Sequence, residues 1–506
     1  MYEREDWQLF LDLATLPQKA GCSPFHLNQI VLKELIDNAL DTEANVFLEY
    51  GNGQWVVRDD GPGINPAIVP KLFSVNRSLL SSKLKRLPSR GMLGNGLRVV
   101  MGAAAVTGNI LTVETRGHRL QLETDRATGE TLVIADELIP RKTGTTVRLS
   151  LGGSKYSDAA VLAQASIQIA KCGKEYQGPS SLWWYGYGDL HRLFANASPT
   201  NATVDDVCHD LGVKFDDLRI ARSITKQDVE AILEKLRAST KPVAPQEIGF
   251  IGREFQPDWP GYAQKADLVM TQSGAQIPYM VEAWAICSRA SEKGQGSADI
   301  KIIINRSMTL ARLHANCYPS GIYLRGCDLS RNVEGPGTGV YEILLSVITP
   351  YMQLAGDGKE PVLRPFGDAV AYVIRKACGA AHRAMERPER GMSVKDAAWS
   401  VMAEAYKIAS GNGKYPANAR QIMYAARPKI LALTDNNKLD DRYFTQTLLP
   451  DYIEEYPEET DEWDVVFDAR GTFIEPHTGK EIGLGTLEVR EYLGDRPRLG
   501  PAVELA

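Results

Sequence analysis

The chain of 506 residues has no apolar run of the roughly 18 residues that a membrane-spanning helix needs, so no span is expected. Its start, Met1-Tyr2-Glu3-Arg4-Glu5-Asp6, is charged and lacks the apolar core of a secretion signal. Seven cysteines stand singly, with no Cys-x-x-Cys pair. That argues against a zinc site and fits a reducing, cytoplasmic setting. Positive charge is not in excess. Lys and Arg number 57 against 63 Asp and Glu, a net −6, so the chain is no polycation and any nucleic-acid contact must come from local patches. Two stretches qualify, each either a phosphate-binding surface or an ordinary solvated face. One is Lys83, Lys85, Arg86 and Arg90; the other is Arg375, Lys376, Arg383, Arg387 and Arg390. Low-complexity tracts and internal repeats are also absent, and the length suits three or four domains.

What is present begins with Leu32-Lys33-Glu34-Leu35-Ile36-Asp37-Asn38-Ala39-Leu40. Apolar residues at 30, 31, 35, 36 and 40 predict an amphipathic helix, on which Glu34 and Asn38 share a face. A carboxylate one turn from a neutral amide oxygen suits a general base beside a Mg²⁺ ligand. Next, Gln54-Trp55-Val56-Val57-Arg58 predicts a strand ended by Asp59 and the turn Gly61-Pro62-Gly63. A carboxylate at a strand end can accept from an adenine amino group, and the glycines let the backbone approach a base. A third box, Gly91-Met92-Leu93-Gly94-Asn95-Gly96, leaves backbone N–H groups free for phosphates at the start of a helix over 97–105. Gly144-Thr145 then precedes a strand at 147–149.

These four elements, in this order, resemble the ATP-binding site of the GHKL superfamily of gyrase, Hsp90, histidine kinases and MutL. The resemblance implies an ATP- and Mg²⁺-binding α/β sandwich over residues 1–152. In it Glu34 is the general base, Asn38 the metal ligand, and Asp59, Gly61, Gly63 and Thr145 the adenine side. Gly91, Gly94 and Gly96 are the phosphate side.

Residues 153–245 read as a mostly helical insert, with helices at 204–211 and 225–238. From 247 to 387 the pattern reads as strands, including 268–270 and 300–304, followed by long helices at 340–348 and 368–385. Asn305-Arg306 after an apolar strand, and Thr349-Pro350-Tyr351-Met352-Gln353-Leu354-Ala355-Gly356-Asp357-Gly358-Lys359-Glu360, resemble the transducer of the type IIB topoisomerases, above all that of the ATPase subunit of topoisomerase VI. There the loop places a lysine, here Lys359, on the ATP γ-phosphate. The resemblance covers about residues 20–390. It implies a helix–two-turn–helix-like insert at 153–245, a transducer at 246–390, and an ATP-dependent homodimer that encloses double-stranded DNA.

The tail, 391–506, is expected to open with a helix at 395–408, broken at Gly411-Asn412-Gly413. Its stretch Asn418-Ala419-Arg420-Gln421-Ile422-Met423-Tyr424 resembles the nucleophile signature of the type IIB cleavage subunit. That makes Tyr424 the candidate DNA-attacking tyrosine on a helix that ends at Pro428. A phenol with a free pKa of about 10 needs a cation nearby, and Arg420 lies one turn before it. Strands at 473–476 and 483–490 would complete a winged-helix-like unit. Eight acidic residues between Asp451 and Asp464 would repel phosphates. The residues after Tyr492 are too few for the metal-binding Toprim domain that such cleavage requires, so that domain is expected on a separate partner chain. The resulting α+β multidomain chain is similar to topoisomerase VIII without its Toprim part. The same parts also fit an ATP-gated nuclease that does not reseal, or an ATP-dependent DNA clamp in which Tyr424 is structural.

Overall fold

The computed structural model describes residues 5–77, 85–91, 94–152, 156–289, 296–335, 339–355, 360–386, 392–434, 436–476 and 478–494. The chain divides into two compact units, Met1–Glu386 and Arg387–Ala506. Among the described residues no helix is long and apolar enough to cross a membrane.

The first unit begins with a six-stranded antiparallel sheet. Its strands are β1 (Val46–Gly51), β2 (Gln54–Asp59), β3 (Leu111–Thr115), β4 (His118–Thr124), β5 (Thr131–Leu138) and β6 (Thr145–Leu149), in the order β1-β2-β6-β3-β4-β5. Helices α1 (Leu27–Leu40), α2 (Gly96–Thr107) and α3 (Tyr156–Ala170) share one core with it, in which Trp55, Val113, Leu122, Ile36, Val99 and Ala163 are almost wholly buried. The amphipathic reading of α1 is incomplete. The helix packs against both α2 and α3, so it is buried nearly all round, and Lys33, Glu34 and Asp37 lie inside at 8%, 7% and 1% exposure.

Helices α4 (Tyr187–Ala195), α5 (Val204–Asp210) and α6 (Lys226–Ser239) form a separate small core around Trp184, Phe194, Val229 and Leu233. Thr203 with Asp206, and Thr225 with Asp228, close reciprocal capping boxes on α5 and α6. Such a cap is worth about 1 kcal/mol.

A seven-stranded sheet follows: β7 (Gly261–Met270), β8 (Gln276–Ser288), β9 (Gly296–Ile304), β10 (Ser307–Tyr318), β11 (Gly321–Gly326), β12 (Leu329–Glu334) and β13 (Val340–Ile348). Its order is β12-β11-β10-β9-β13-β8-β7. The expected helix at 340–348 is therefore wrong. This segment is a central strand, parallel to β9 and antiparallel to β8. Its even residues Leu344 and Ile348 join the core of the first sheet. Its odd residues Ile343, Leu345 and Val347 pack with the one long helix, α7 (Gly367–Glu386). Burial on both faces removes the polar–apolar alternation, and a short apolar run then reads alike as helix or strand. The long helices expected after the strands reduce, among the described residues, to α7 alone.

In the second unit α8 (Val394–Ala409) and α9 (Ala419–Leu433) pack around Met402, Ile422, Met423 and Phe444. Gly411, Asn412 and Gly413 all take left-handed φ between the two helices, as their sequence suggests. Two expectations fail here. The helix with Tyr424 does not stop at Pro428 but runs through it to Leu433. Proline deprives a single carbonyl, that of the half-exposed residue 424, of its helical donor. The strand expected over 483–490 ends at Gly483. Strands β14 (Thr472–Ile474) and β15 (Glu481–Gly483) form a hairpin, and Thr486 to Gly494 is helix α10.

Candidate active site

The first and third boxes touch. Asn38 donates its side-chain amide to the carbonyl of Glu34 at 2.6 Å, one turn back along α1. Gly96, the first residue of α2, lies against both. A methyl group there would collide with the Glu34 carboxylate and stand 3.3 Å from the Asn38 amide nitrogen. Only glycine leaves this contact open. Gly91 and Gly94 hold φ of 65° and 66°, where glycine carries no strain, and the Gly94 N–H closes a turn onto the Gly91 carbonyl at 3.2 Å.

The second and fourth boxes meet at Asp59. One carboxylate oxygen accepts the N–H of Gly61 at 2.9 Å and that of Thr145 at 3.1 Å. Thr145 thus meets Asp59 through its backbone. Burial raises the Asp59 carboxyl above the usual range; the two N–H groups and Arg141 oppose this without cancelling it. A methyl group on Gly61 would press on Thr42 Oγ1 at 2.9 Å, and one on Gly63 on Thr115 Oγ1 at 3.0 Å. The backbone at both glycines is therefore held close to neighbours that only a bare Cα admits.

Between the boxes and the second sheet is a cavity lined by Glu34, Gly94, Asn95 and Gly96 on one side and by Asn305, Ser307 and Thr309 on the other. Lys33 also faces it. Its ammonium lies 2.6 Å from Asp37 and 3.9 Å from Glu34. Burial pulls its pKa down, but Asp37 and Glu34 outweigh that, and the group stays charged well above its ordinary value. Lys359 lies outside the described residues. The short strands on either side of its loop, Leu354–Ala355 and Glu360–Pro361, pair with each other, and Leu354 and Pro361 line the same cavity.

The turn between β9 and β10 holds the Asn305-Arg306 motif, but its partners are the part sequence reasoning missed. Asn305 and Arg306 hold φ of 47° and 65°, a two-residue hairpin turn of the kind that matches strand twist. Asn305 accepts from the Thr349 N–H at 2.8 Å and donates to the Ser89 carbonyl at 3.3 Å. Ser307 donates to Asp37 at 2.7 Å. Asp37 and Lys33 stood within the first box and had no role there; nothing near residue 307 signals its contact, which spans 270 positions of sequence.

The first basic cluster is a correction. Lys85 pairs with Asp210 at 2.7 Å, Arg86 with Asp189 at 2.8 Å, and the nearly buried Arg90 with Glu175. Each charge is already neutralised by a carboxylate, so the three do not make a phosphate-binding patch; Lys83 lies outside the described residues. In the second cluster Arg375 and Lys376 flank the ring of Tyr372, each 5.9 Å from its centroid, and Arg387 and Arg390 lie outside the described residues.

On α9, Tyr424 is 55% exposed. Arg420 precedes it by one turn but forms an ion pair with Asp468 at 3.2 Å. Arg427 lies over the Tyr424 ring, 5.4 Å from its centroid, and is itself paired with Asp441. In the acidic tract, Glu459 accepts the Tyr452 hydroxyl at 2.8 Å and Asp464 pairs with Arg490 at 2.6 Å.

Residues 24–152 match the family described as histidine kinase-, DNA gyrase B-, and HSP90-like ATPase. The match spans all four boxes, so this segment is similar to the ATPase domains of that family. No curated protein matches the sequence. Among solved structures, the ATPase region of Saccharomyces cerevisiae topoisomerase II is similar over 71% of this chain and 85% of that one, at 10% identity and a TM-score of 0.31. A likeness at that score carries nothing further.

Proposed function

We propose that the chain is an ATP-driven, DNA-acting protein of the type IIB topoisomerase kind. The contact among Glu34, Asn38 and Gly96 is the observation that carries its ATPase half. It brings the Glu34 carboxylate and the Asn38 side-chain amide to the N-terminus of a helix, where N–H groups and the helix dipole favour phosphate. Glu34 accepts a proton from the attacking water. Asn38 supplies its amide oxygen to Mg²⁺, which neutralises phosphate charge when bound. Gly91, Gly94 and Gly96 cradle the phosphates. Asp59 accepts from the adenine amino group, with Gly61, Gly63 and Thr145 around it. Lys359 completes the site from the transducer.

In this reading the four stretches 1–152, 153–245, 246–390 and 391–506 are ATPase, insert, transducer and winged-helix-like domains. ATP closes two copies around double-stranded DNA. A non-hydrolysable ATP analogue is expected to raise the sedimentation coefficient to that of a dimer, while ADP leaves the monomer; identical sedimentation in both would end the gate model.

Tyr424 then attacks the DNA backbone when a separate Mg²⁺-binding Toprim protein is present. The reading in which the chain is a clamp without covalent chemistry has one observation in its favour, the Arg420–Asp468 pair, which occupies the cation meant for the phosphate. One experiment separates them. Supercoiled plasmid is incubated with ATP, Mg²⁺, the chain and the partner encoded beside it, and products are denatured to trap protein–DNA adducts. Adducts lost in Tyr424→Phe with ATPase activity retained support cleavage, and accumulated linear product would make it a nuclease. No adduct from either protein leaves the clamp.

A further inference from the structure

The β9–β10 turn reaches the catalytic helix through a chain of three side chains. Ser307 Oγ donates to Asp37 Oδ2 at 2.7 Å, the same oxygen takes the Lys33 ammonium at 2.6 Å, and that ammonium stands 3.9 Å from Glu34 Oε1. All four side chains are at least nine-tenths buried, so water screens these contacts little and each is strong for its distance. Further charged groups lie close by among the described residues. Asp41, one turn past Asp37, is near Arg90 at 4.0 Å; Arg90 and Arg306 share Glu175. Lys33 is therefore the cation closest to Glu34 among these groups. Its position depends on Asp37, and that of Asp37 on Ser307 of the second sheet.

We propose that Lys33 and Ser307 are positioning residues for ATP hydrolysis, and that through them the β9–β10 turn sets the orientation of the Glu34 carboxylate. Neither residue needs to touch ATP. Lys33 fixes one oxygen of Glu34, which leaves the other directed to the Gly96 side of the site, where the carboxylate meets the start of α2. When Ser307 is lost, Asp37 keeps only Lys33, and the ammonium can settle toward Asp37 and away from Glu34. The inference rests on Glu34 being the general base. It adds that the second sheet is a working part of the hydrolytic site as well as its neighbour.

Ser307→Ala removes one oxygen and is the primary test, because it disturbs packing least. Turnover is expected to fall about tenfold, the worth of one hydrogen bond to a charged group, with KM for ATP and affinity for a non-hydrolysable analogue unchanged. Ser307→Thr, which keeps the hydroxyl, restores turnover; Ser307→Val, of the same shape as Thr, does not. Lys33→Met loses at least as much, Lys33→Arg recovers part of it, and the double variant Lys33→Met with Ser307→Ala is no worse than Lys33→Met alone, since both act on one carboxylate. Ser307→Ala and Ser307→Val with normal turnover, beside an inactive Glu34→Gln, would overturn this inference and leave the general base intact. Full turnover in Glu34→Gln would overturn both. Equal losses of turnover and of analogue affinity in Ser307→Ala would mark a merely structural residue and also overturn it.

Discussion

Glu34→Gln is expected to bind ATP and fail to hydrolyse it. The amide keeps the volume of the carboxylate, so the tight approach of Gly96 survives, and Asn38 still bonds to the backbone carbonyl of residue 34. Lys33 keeps Asp37 as its partner at 2.6 Å, so no buried charge is orphaned and the fold should hold. What disappears is the only proton acceptor that the first box places beside the N-terminus of α2. General-base contributions run to about 10²–10⁴-fold, and turnover should fall within that range while the dissociation constant for a fluorescent ATP analogue stays within about threefold. Phosphate release and equilibrium binding, measured on the same preparation, decide it. Turnover within about threefold of the parent protein would move the base elsewhere, and Asp37, the nearest buried carboxylate on the same helix, would be next.

The parts of this site that could be read from the sequence are those in which chemistry and geometry are both local. Glu34 and Asn38 are related by one helical turn. Asp59 ends a strand and is followed by its own turn, and Gly91, Gly94 and Gly96 mark a loop entering a helix. Each relation fits within a few residues, and the contact of Gly96 with Glu34 follows once the fold is recognised. The hairpin 305–307 was legible only as a motif. Its partners Ser89, Thr349, Glu175 and Asp37 are spread along the chain, and no periodicity encodes them. The failure at Val340–Ile348 has a different cause. The two sheet faces serve two cores, so the strand lost the alternation that identifies one. In the tail, Tyr424 was singled out because its neighbourhood is a short motif, and it is exposed. Its cation was chosen by helical spacing alone, and that spacing could not show that Asp468 already holds Arg420.

Arg306→Met should strongly destabilise the first unit while leaving the ATP boxes untouched. The guanidinium is 3% exposed and fully used. Its Nε donates to Glu175 at 2.8 Å, one terminal nitrogen to the Phe250 carbonyl at 2.8 Å, and the other to the carbonyls of Ile169 at 2.9 Å and Cys172 at 2.6 Å. It thus ties the turn of the second sheet to the end of α3 and to the strand Gly249–Phe250. Methionine fills most of the volume and makes none of these bonds. Three carbonyls lose a charged donor, and Glu175 keeps only Arg90. Leaving a buried acceptor without its donor costs about 1–3 kcal/mol. With the usual unfolding entropy per residue, a unit of this size should lose roughly 5 °C in Tm. Arg364→Met is the control, because that arginine is mostly exposed in its pair with Asp328, and such a pair is worth about 0–1 kcal/mol. The sign of the pH dependence is also fixed. Burial pushes the Glu175 carboxyl up, but Arg90 and Arg306 together hold it below its ordinary value. Its stabilising effect is therefore complete above the unfolded value of about 4.3 and is lost as pH falls through the lower folded value. The variant has less of that effect to lose, so the Tm gap between parent and Arg306→Met should narrow on acidification below about pH 4. A gap that widened there, or a variant as stable as Arg364→Met at neutral pH, would show that this arginine does not tie the turn of the second sheet to α3.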